Sequence, residues 1–333
     1  MDVLTAPART STRLVGIDAA RALAFGGMLL AHFAVSGPRS DDPGWLRALD
    51  NAADGRAAPL FCLLLGVGAG ILAARGTPDG AFVRRGLVLS GLGLAVWPWV
   101  ERVYLILPHY GILLALFPLV RRVPTRWLLP AAGLAFLIPS VVVATFGDLG
   151  LRAGRQPSTY AEILDLPALL GGILWTGGYP IVGWAGFVLA GAWVVRLPLR
   201  STSTQWALLA GSVVVAATQP LLPAAQAAAH SNRTAWYVLA TATAVAVLAA
   251  CLLLGDRLRA VVPLGQMALT AYLAHLLLGE ALVFGWLDAA QPALAIQMSV
   301  ATAMFAGFAV AASAWLAVHR RGPVEAAVRT LAR

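Results

Sequence analysis

Long apolar runs alternate with short polar interruptions along the whole chain. The interruptions fall near residues 37–56, 76–85, 101–102, 121–126, 147–166, 196–205, 224–233, 255–260 and 288–292. They divide the sequence into about ten apolar segments of roughly 17 to 30 residues, the length a helix needs to cross the hydrocarbon core of a bilayer. This pattern predicts an all-α, polytopic integral membrane protein with about ten transmembrane helices. One membrane domain is expected over residues 13–319, flanked by polar tails at 1–12 and 320–333. The apolar run that begins after the first tail is too long for a signal peptide and lacks a cleavage-like end, so it reads as an uncleaved first span.

Two stretches depart from a plain span. LPALLGGILWTGGYPIVGWAGFVLAGAW is too long for one straight helix and carries Gly177, Gly178 and Pro180 near its middle. It predicts a broken helix, or a re-entrant turn followed by a span, which a membrane tolerates only where protein or a cavity supplies backbone partners. The stretch from Phe146 to Leu166 holds Asp148, Arg152, Arg155, Glu162 and Asp165. It reads either as a solvated loop or as a short interfacial helix or lid. No internal repeat is visible, so the inverted-repeat signature of many transporters is absent.

Charge sets the expected orientation. The 333 residues are 59% hydrophobic and 12% charged, about half the charge of a soluble domain. All 24 basic residues are arginine, and the net charge is +9. Placing the N-terminus in the cytoplasm puts Arg75, Arg84, Arg85, Arg121, Arg122, Arg126, Arg196, Arg200, Arg257, Arg259, Arg320 and Arg321 on the cytoplasmic side by alternation, together with the C-terminus. Far fewer arginines remain outside, chiefly Arg39, Arg47, Arg102, Arg152, Arg155 and Arg233. No basic cluster is interleaved with aromatics, so nucleic acid is not an expected partner. Most of the tryptophans lie near predicted span ends, as interfacial anchors do. Cys62 and Cys251 sit in apolar runs, where a thiol acts as a small hydrophobe and argues for neither a disulfide nor a metal site.

The first span is not purely apolar: GIDAARALAFGGMLLAHF carries Asp18, Arg21 and His32. A charge at bilayer depth costs at least a few kcal/mol unless it is paired or faces a wet interior. Eleven residues at ~100° each complete about three turns, so Arg21 and His32 share a face with their Cα atoms roughly 16 Å apart along the axis. Asp18 falls near the same face, which predicts one polar stripe directed into the bundle. In the ninth segment His275 and Glu280 lie five residues apart, about 140° around the helix. Glu280 is a functional candidate by default, or one half of a pair with a neighbouring arginine or histidine.

The motifs resemble a known family. Arginine, ten residues and histidine on the first helix is similar to the R-x10-H motif of acyltransferase 3 proteins. RLVGIDAARALAFGGMLLAHF, APLFCLLLGVGAGI, GGYPIVGWAGFVLAGA and LGQMALTAYLAH, in that order, more closely resemble the heparan-alpha-glucosaminide N-acetyltransferase catalytic-domain family and the related YeiB-like membrane proteins. The closing RRGPVEAAVR resembles the tail of the YeiB-like group. The resemblance implies transfer of an acyl group, typically acetyl, from a cytoplasmic acyl-CoA to a hydroxyl or amine of an extracytoplasmic, often sugar-containing glycan or glycolipid acceptor, with no metal. It also implies a bacterial plasma membrane location and membrane lipid as surroundings, and leaves a homo-oligomer open. The lysosomal branch carries its catalytic histidine in the loop after the first helix, and residues 33–60 hold no histidine here. Its amino-sugar acceptor is therefore not carried over, and His32 takes the catalytic place through the R-x10-H pattern alone.

Under that resemblance His32 is either a general base or an acyl carrier, and its plain alternative is a packing histidine. Arg21 holds the thioester carbonyl or a CoA phosphate, pairs with Asp18, or does both. His109, in LPHYGILL, orients His32 or binds acceptor, or is an interfacial residue beside Tyr110. Arg84 and Arg85, with Arg121 and Arg122, suit an anionic donor, although the positive-inside rule places arginines there in any case. Asp54 and Arg56 rim the acceptor entrance or pair with each other, while His230 and His319 fall in loops and carry little meaning. A small-solute or lipid transporter using the same polar stripe, and a non-enzymatic membrane component, are the competing expectations.

Overall fold

The computed structural model describes residues 14–34, 42–100, 102–146, 164–171, 173–174, 178–223 and 228–332. In chain order its helices are α1 (Val15–Phe33), α2 (Gly44–Ala53), α3 (Ala57–Ala74), α4 (Asp79–Val96), α5 (Leu107–Ala115), α6 (Phe117–Val120), α7 (Thr125–Phe146), α8 (Leu166–Gly171), α9 (Ile181–Val194) and α10 (Thr202–Ala216). They continue with α11 (Thr234–Leu254), α12 (Val262–Gln266), α13 (Ala268–Leu278), α14 (Phe284–Ala290), α15 (Leu294–Val318) and α16 (Pro323–Leu331). There is no strand among the described residues.

Local chemistry sets the boundaries. The chain leaves α3 through Gly76 at φ +80°, a left-handed conformation that glycine adopts without a Cβ clash. Pro78 precedes α4, whose first turn carries Asp79 at its positive end. Pro108 opens α5, where its missing N–H costs nothing. The expected break after residue 166 is present: α8 ends at Gly171, and α9 restarts after Pro180. The stretch expected as a loop or lid lies mostly outside the described residues.

Six helical stretches are long and apolar enough to cross a membrane: Ala57–Ala74, Asp79–Trp99, Thr125–Val142, Thr234–Gln266, Ala268–Ala290 and Leu294–Val318. The apolar α9 is shorter, at 14 residues, and α1 stays outside the six because Asp18, Arg21 and His32 dilute its apolarity. Leu87, Leu282, Val310 and Val318 point outward with most of their surface exposed, as lipid-facing side chains do. The protein is therefore an integral multi-pass membrane protein. Six of the expected ten spans are carried by length and composition among the described residues.

Packing gives the helices their relative directions. A Cβ added at Gly66 would collide with the backbone of Val188 and Ala192, and one at Gly191 with Leu63. Small residues thus let α3 and α9 run side by side in the same direction with backbones nearly touching. Gly86 and Gly93 of α4 do the same against α5, here antiparallel, with Gly86 at Gly111 and Ala115 and Gly93 at Pro108. Gly265 of α12 lies on the backbone of Asp18, and His32 meets His275. Hence α1 and the α12–α13 pair run parallel from the same end of the bundle.

The stretch read as a polar tail at the C-terminus contains a docked helix. α16 packs against α4 and α13, and Arg84 Nε donates to the Ala332 carbonyl at 3.2 Å. Glu325 accepts hydrogen bonds from the backbone N–H groups of Leu269 and Thr270 at 2.9 and 3.1 Å and from the Thr270 hydroxyl at 2.5 Å. A carboxylate here satisfies donors that the first turn of α13 leaves without intrahelical partners.

Candidate active site

The polar stripe of α1 is built as its spacing requires. Asp18 is 2% exposed and accepts a hydrogen bond from Arg21 Nη1 at 2.7 Å. The pair lies where Gly265 lets α12 close on α1. Three turns further along, His32 meets the fully buried His275 of α13, with Nδ1 3.0 Å from Nε2. The two rings are stacked, 5.2 Å between centroids and 18° between planes. Phe25 packs edge-on against His275 at 5.3 Å and holds its plane.

One proton is shared in this pair, and either ring can donate it. Nδ1 of His275 is buried and has no hydrogen-bond partner. In the tautomer in which His32 donates through Nδ1, its Nε2 keeps the lone pair. An imidazole in that form can accept a proton from a hydroxyl or amine.

Two cavities approach the pair from opposite ends of the bundle. The first, about 270 Å³, is lined by Arg21, Phe61, Tyr110, Gln266 and Glu325 among others. Its lining reaches Glu325 of α16, the helix that docks on α4, and α4 begins with Asp79, paired with Arg121 and Arg122 at 3.1 and 2.8 Å. The second, about 220 Å³, is lined by His32, Asp54, Arg102, Tyr104, Tyr179 and His230 among others. Met28, Ile106 and Tyr272 line both cavities and so form the partition between them.

The remaining expectations sort by position. Glu280 has the arginine partner that its depth called for: Arg102 donates to it from its backbone N–H at 3.0 Å and from Nη1 at 3.1 Å, and Arg102 Nε reaches Asp288 at 2.7 Å. Glu280 therefore braces the rim of the second cavity, away from His275, and it sits in the π-helical turn Gly279–Val283 that follows α13. His109 does not orient His32; it is buried at 4% exposure between the rings of Trp97 and Tyr179 at 6.1 and 5.7 Å. Trp97, after α4, and Tyr179 cover its ring from the surface. Arg84 and Arg85 line neither cavity, since Arg84 is spent on the end of α16. Asp54 does line the second cavity, while Arg56 turns away to Gln219 at 3.3 Å.

Two residues of the site escape a reading of the sequence. His230, in a loop, is carried into the second cavity with a positive φ of 53°. Its ring stands among Trp236, Tyr179 and Trp184 at 5.2, 5.7 and 5.9 Å. Burial among these rings pushes the imidazole below its usual value, against the opposing pull of Asp54 and of a backbone hydrogen bond at Gly178. Glu325, in the apparent tail, lines the first cavity beside Arg21. Only the GPVE string hinted at it. No cluster of His, Cys, Asp or Glu suited to a metal ion occurs among the described residues.

The fold and site are those of a multi-pass helical membrane protein with two cavities sharing one partition and a histidine pair at one of them. Residues 13–224 match the family model described as heparan-alpha-glucosaminide N-acetyltransferase, catalytic. The chain belongs to that family. Residues 190–333 match a second family model, described as a protein of unknown function and designated DUF418, which corresponds to the YeiB-like resemblance. None of the curated proteins compared with the chain matches it. The histidine pair joins the two matched regions, His32 from the first and His275 from the second.

Proposed function

We propose that this protein is a transmembrane acyltransferase of the bacterial plasma membrane. It takes an acyl group, acetyl in the first instance, from a cytoplasmic acyl-CoA and delivers it to a hydroxyl or amine of an extracytoplasmic, sugar-containing acceptor. The observation that carries this reading is the pair of cavities that enter from opposite ends and meet at Met28, Ile106 and Tyr272. A thioester and its acceptor on opposite sides of a membrane need such an arrangement, so that the reacting atoms meet while bulk water stays out.

The orientation rests on charge. The Arg21 cavity lies toward the end where α16 docks on α4 and where Arg121, Arg122 and Arg196 gather around Asp79, Val123 and Thr125, and by the positive-inside rule that end is read as cytoplasmic. Arg21, anchored by Asp18, offers a fixed positive charge to the thioester carbonyl or a donor phosphate. At the other end His32 removes the acceptor proton through Nε2. His275 keeps the His32 ring in its tautomer and plane, in the manner of the orienting partner of a catalytic histidine. Asp54, His230 and the surrounding tyrosines form the acceptor wall.

The test is a pair of measurements on the purified protein. Acetyl-CoA, longer acyl-CoAs and plain CoA are titrated against it, and labelled acetyl transfer is followed into an envelope glycan or lipid fraction. Binding of acyl-CoA with transfer supports the reading. Absence of CoA binding, or solute flux without acyl transfer, would overturn it in favour of a transporter.

A further inference from the structure

The partition between the two cavities contains one polar group. Met28 and Ile106 offer only apolar atoms, whereas Tyr272 brings a hydroxyl. That side chain is 6% exposed, and its oxygen has no hydrogen-bond partner. A buried polar group left without a partner costs on the order of 1–3 kcal/mol, so its placement calls for a reason. Neighbouring helices explain how it is held. Tyr272 follows Thr270, which is fixed by Glu325, and precedes His275, whose ring lies 5.5 Å away. Its hydroxyl turns toward the backbone of Ile106 and Leu107, the N-terminal end of α5, where the helix dipole favours negative charge.

We propose that Tyr272 is a catalytic residue of the transfer, the hydrogen-bond donor to the oxyanion that forms on the acyl carbon. The inference rests on the acyltransferase reading above. An acyl group entering past Arg21 reaches His32 only at the partition, so its carbonyl oxygen arrives beside the Tyr272 hydroxyl. The acceptor oxygen or nitrogen adds to the carbonyl carbon while its proton passes to His32 Nε2, and the C=O electron pair moves onto oxygen. Tyr272 donates a hydrogen bond to that oxyanion and keeps its own proton. Collapse re-forms C=O and breaks the C–S bond. The CoA thiolate leaves toward Arg21 and takes a proton from water at that end, while His32 returns its proton to water at the other. A positioned donor of this kind is worth more in a dry site than in water.

The experiment compares wild type with Tyr272→Phe at matched expression. Phenylalanine keeps the ring and removes only the hydroxyl. The expected result is a loss of roughly 10²- to 10³-fold in kcat, with unchanged acetyl-CoA affinity and KM. Transfer by Tyr272→Phe within about threefold of a transferring wild type would overturn the proposal and leave the acyltransferase reading standing. A wild type that binds no acyl-CoA would instead overturn the reading itself. Should Tyr272→Phe fail to fold, 3-fluorotyrosine at position 272 decides the matter. Its more acidic hydroxyl is expected to move the alkaline limb of the rate profile to lower pH, and an unmoved profile would count against a donor role.

Discussion

His32 and His275, 243 positions apart in sequence, share a hydrogen bond of 3.0 Å between Nδ1 and Nε2. The bond joins the first helix to α13, and it turns a lone intramembrane histidine into an oriented one. His32 faces the second cavity while His275 is sealed behind it. The two imidazoles therefore have different tasks, and substitution separates them.

His32→Ala is expected to abolish acyl transfer while leaving acyl-CoA binding largely intact, because the donor cavity lies at the other end. The loss should reach about 10²- to 10⁴-fold, the usual contribution of a general base. Arg21→Ala should also weaken donor binding, by about tenfold or more, since it removes a charge-assisted contact. Equilibrium binding of labelled acetyl-CoA, set beside initial rates, tells the two apart. Full transfer by His32→Ala would return Glu280 and His109 to consideration.

His275→Leu removes the acceptor for His32 Nδ1 without touching either cavity. The rate should fall about 10-fold to 10²-fold, less than for His32→Ala, with KM values little changed. His275→Gln, whose side-chain oxygen accepts the same hydrogen bond, should recover part of that loss. An equal, unrescued loss in both variants would argue for a packing role alone.

Glu325→Ala should loosen α16 from α13 and lower stability by ~2 kcal/mol, because two backbone donors and the Thr270 hydroxyl lose a charged acceptor. Thermal unfolding in detergent measures this directly. Glu325 also lines the donor cavity, so acetyl-CoA affinity should change in the same variant. A Tm indistinguishable from wild type would show that the docked helix contributes nothing to the bundle.

His230 carries a pH dependence of known sign. Burial lowers its folded-state value, so the unfolded chain binds the proton more readily. Its contribution to stability is therefore complete above the unfolded value of about 6.5 and is lost as pH falls below it. His230→Phe is expected to flatten the dependence of Tm on pH between about 7 and 5. It should also raise the KM for acceptor and leave acyl-CoA binding unchanged.

What the sequence determined by itself is local. Apolar run lengths mark the six long spans, Gly178 and Pro180 mark the break before α9, and three-residue spacing on one helix predicts the Asp18–Arg21 pair. Helical periodicity settles which side chains share a face, so the stripe of α1 is legible without coordinates. It is silent about which other helix that face meets. Tertiary packing decided that His32 finds His275 and not His109, that Glu280 binds Arg102, and that the loop residue His230 enters an aromatic wall. Each of these contacts depends on how closely two helices approach. That distance is set by residues such as Gly265 against Asp18 or Gly66 against Val188, whose partners lie more than a hundred positions away and leave no periodic trace.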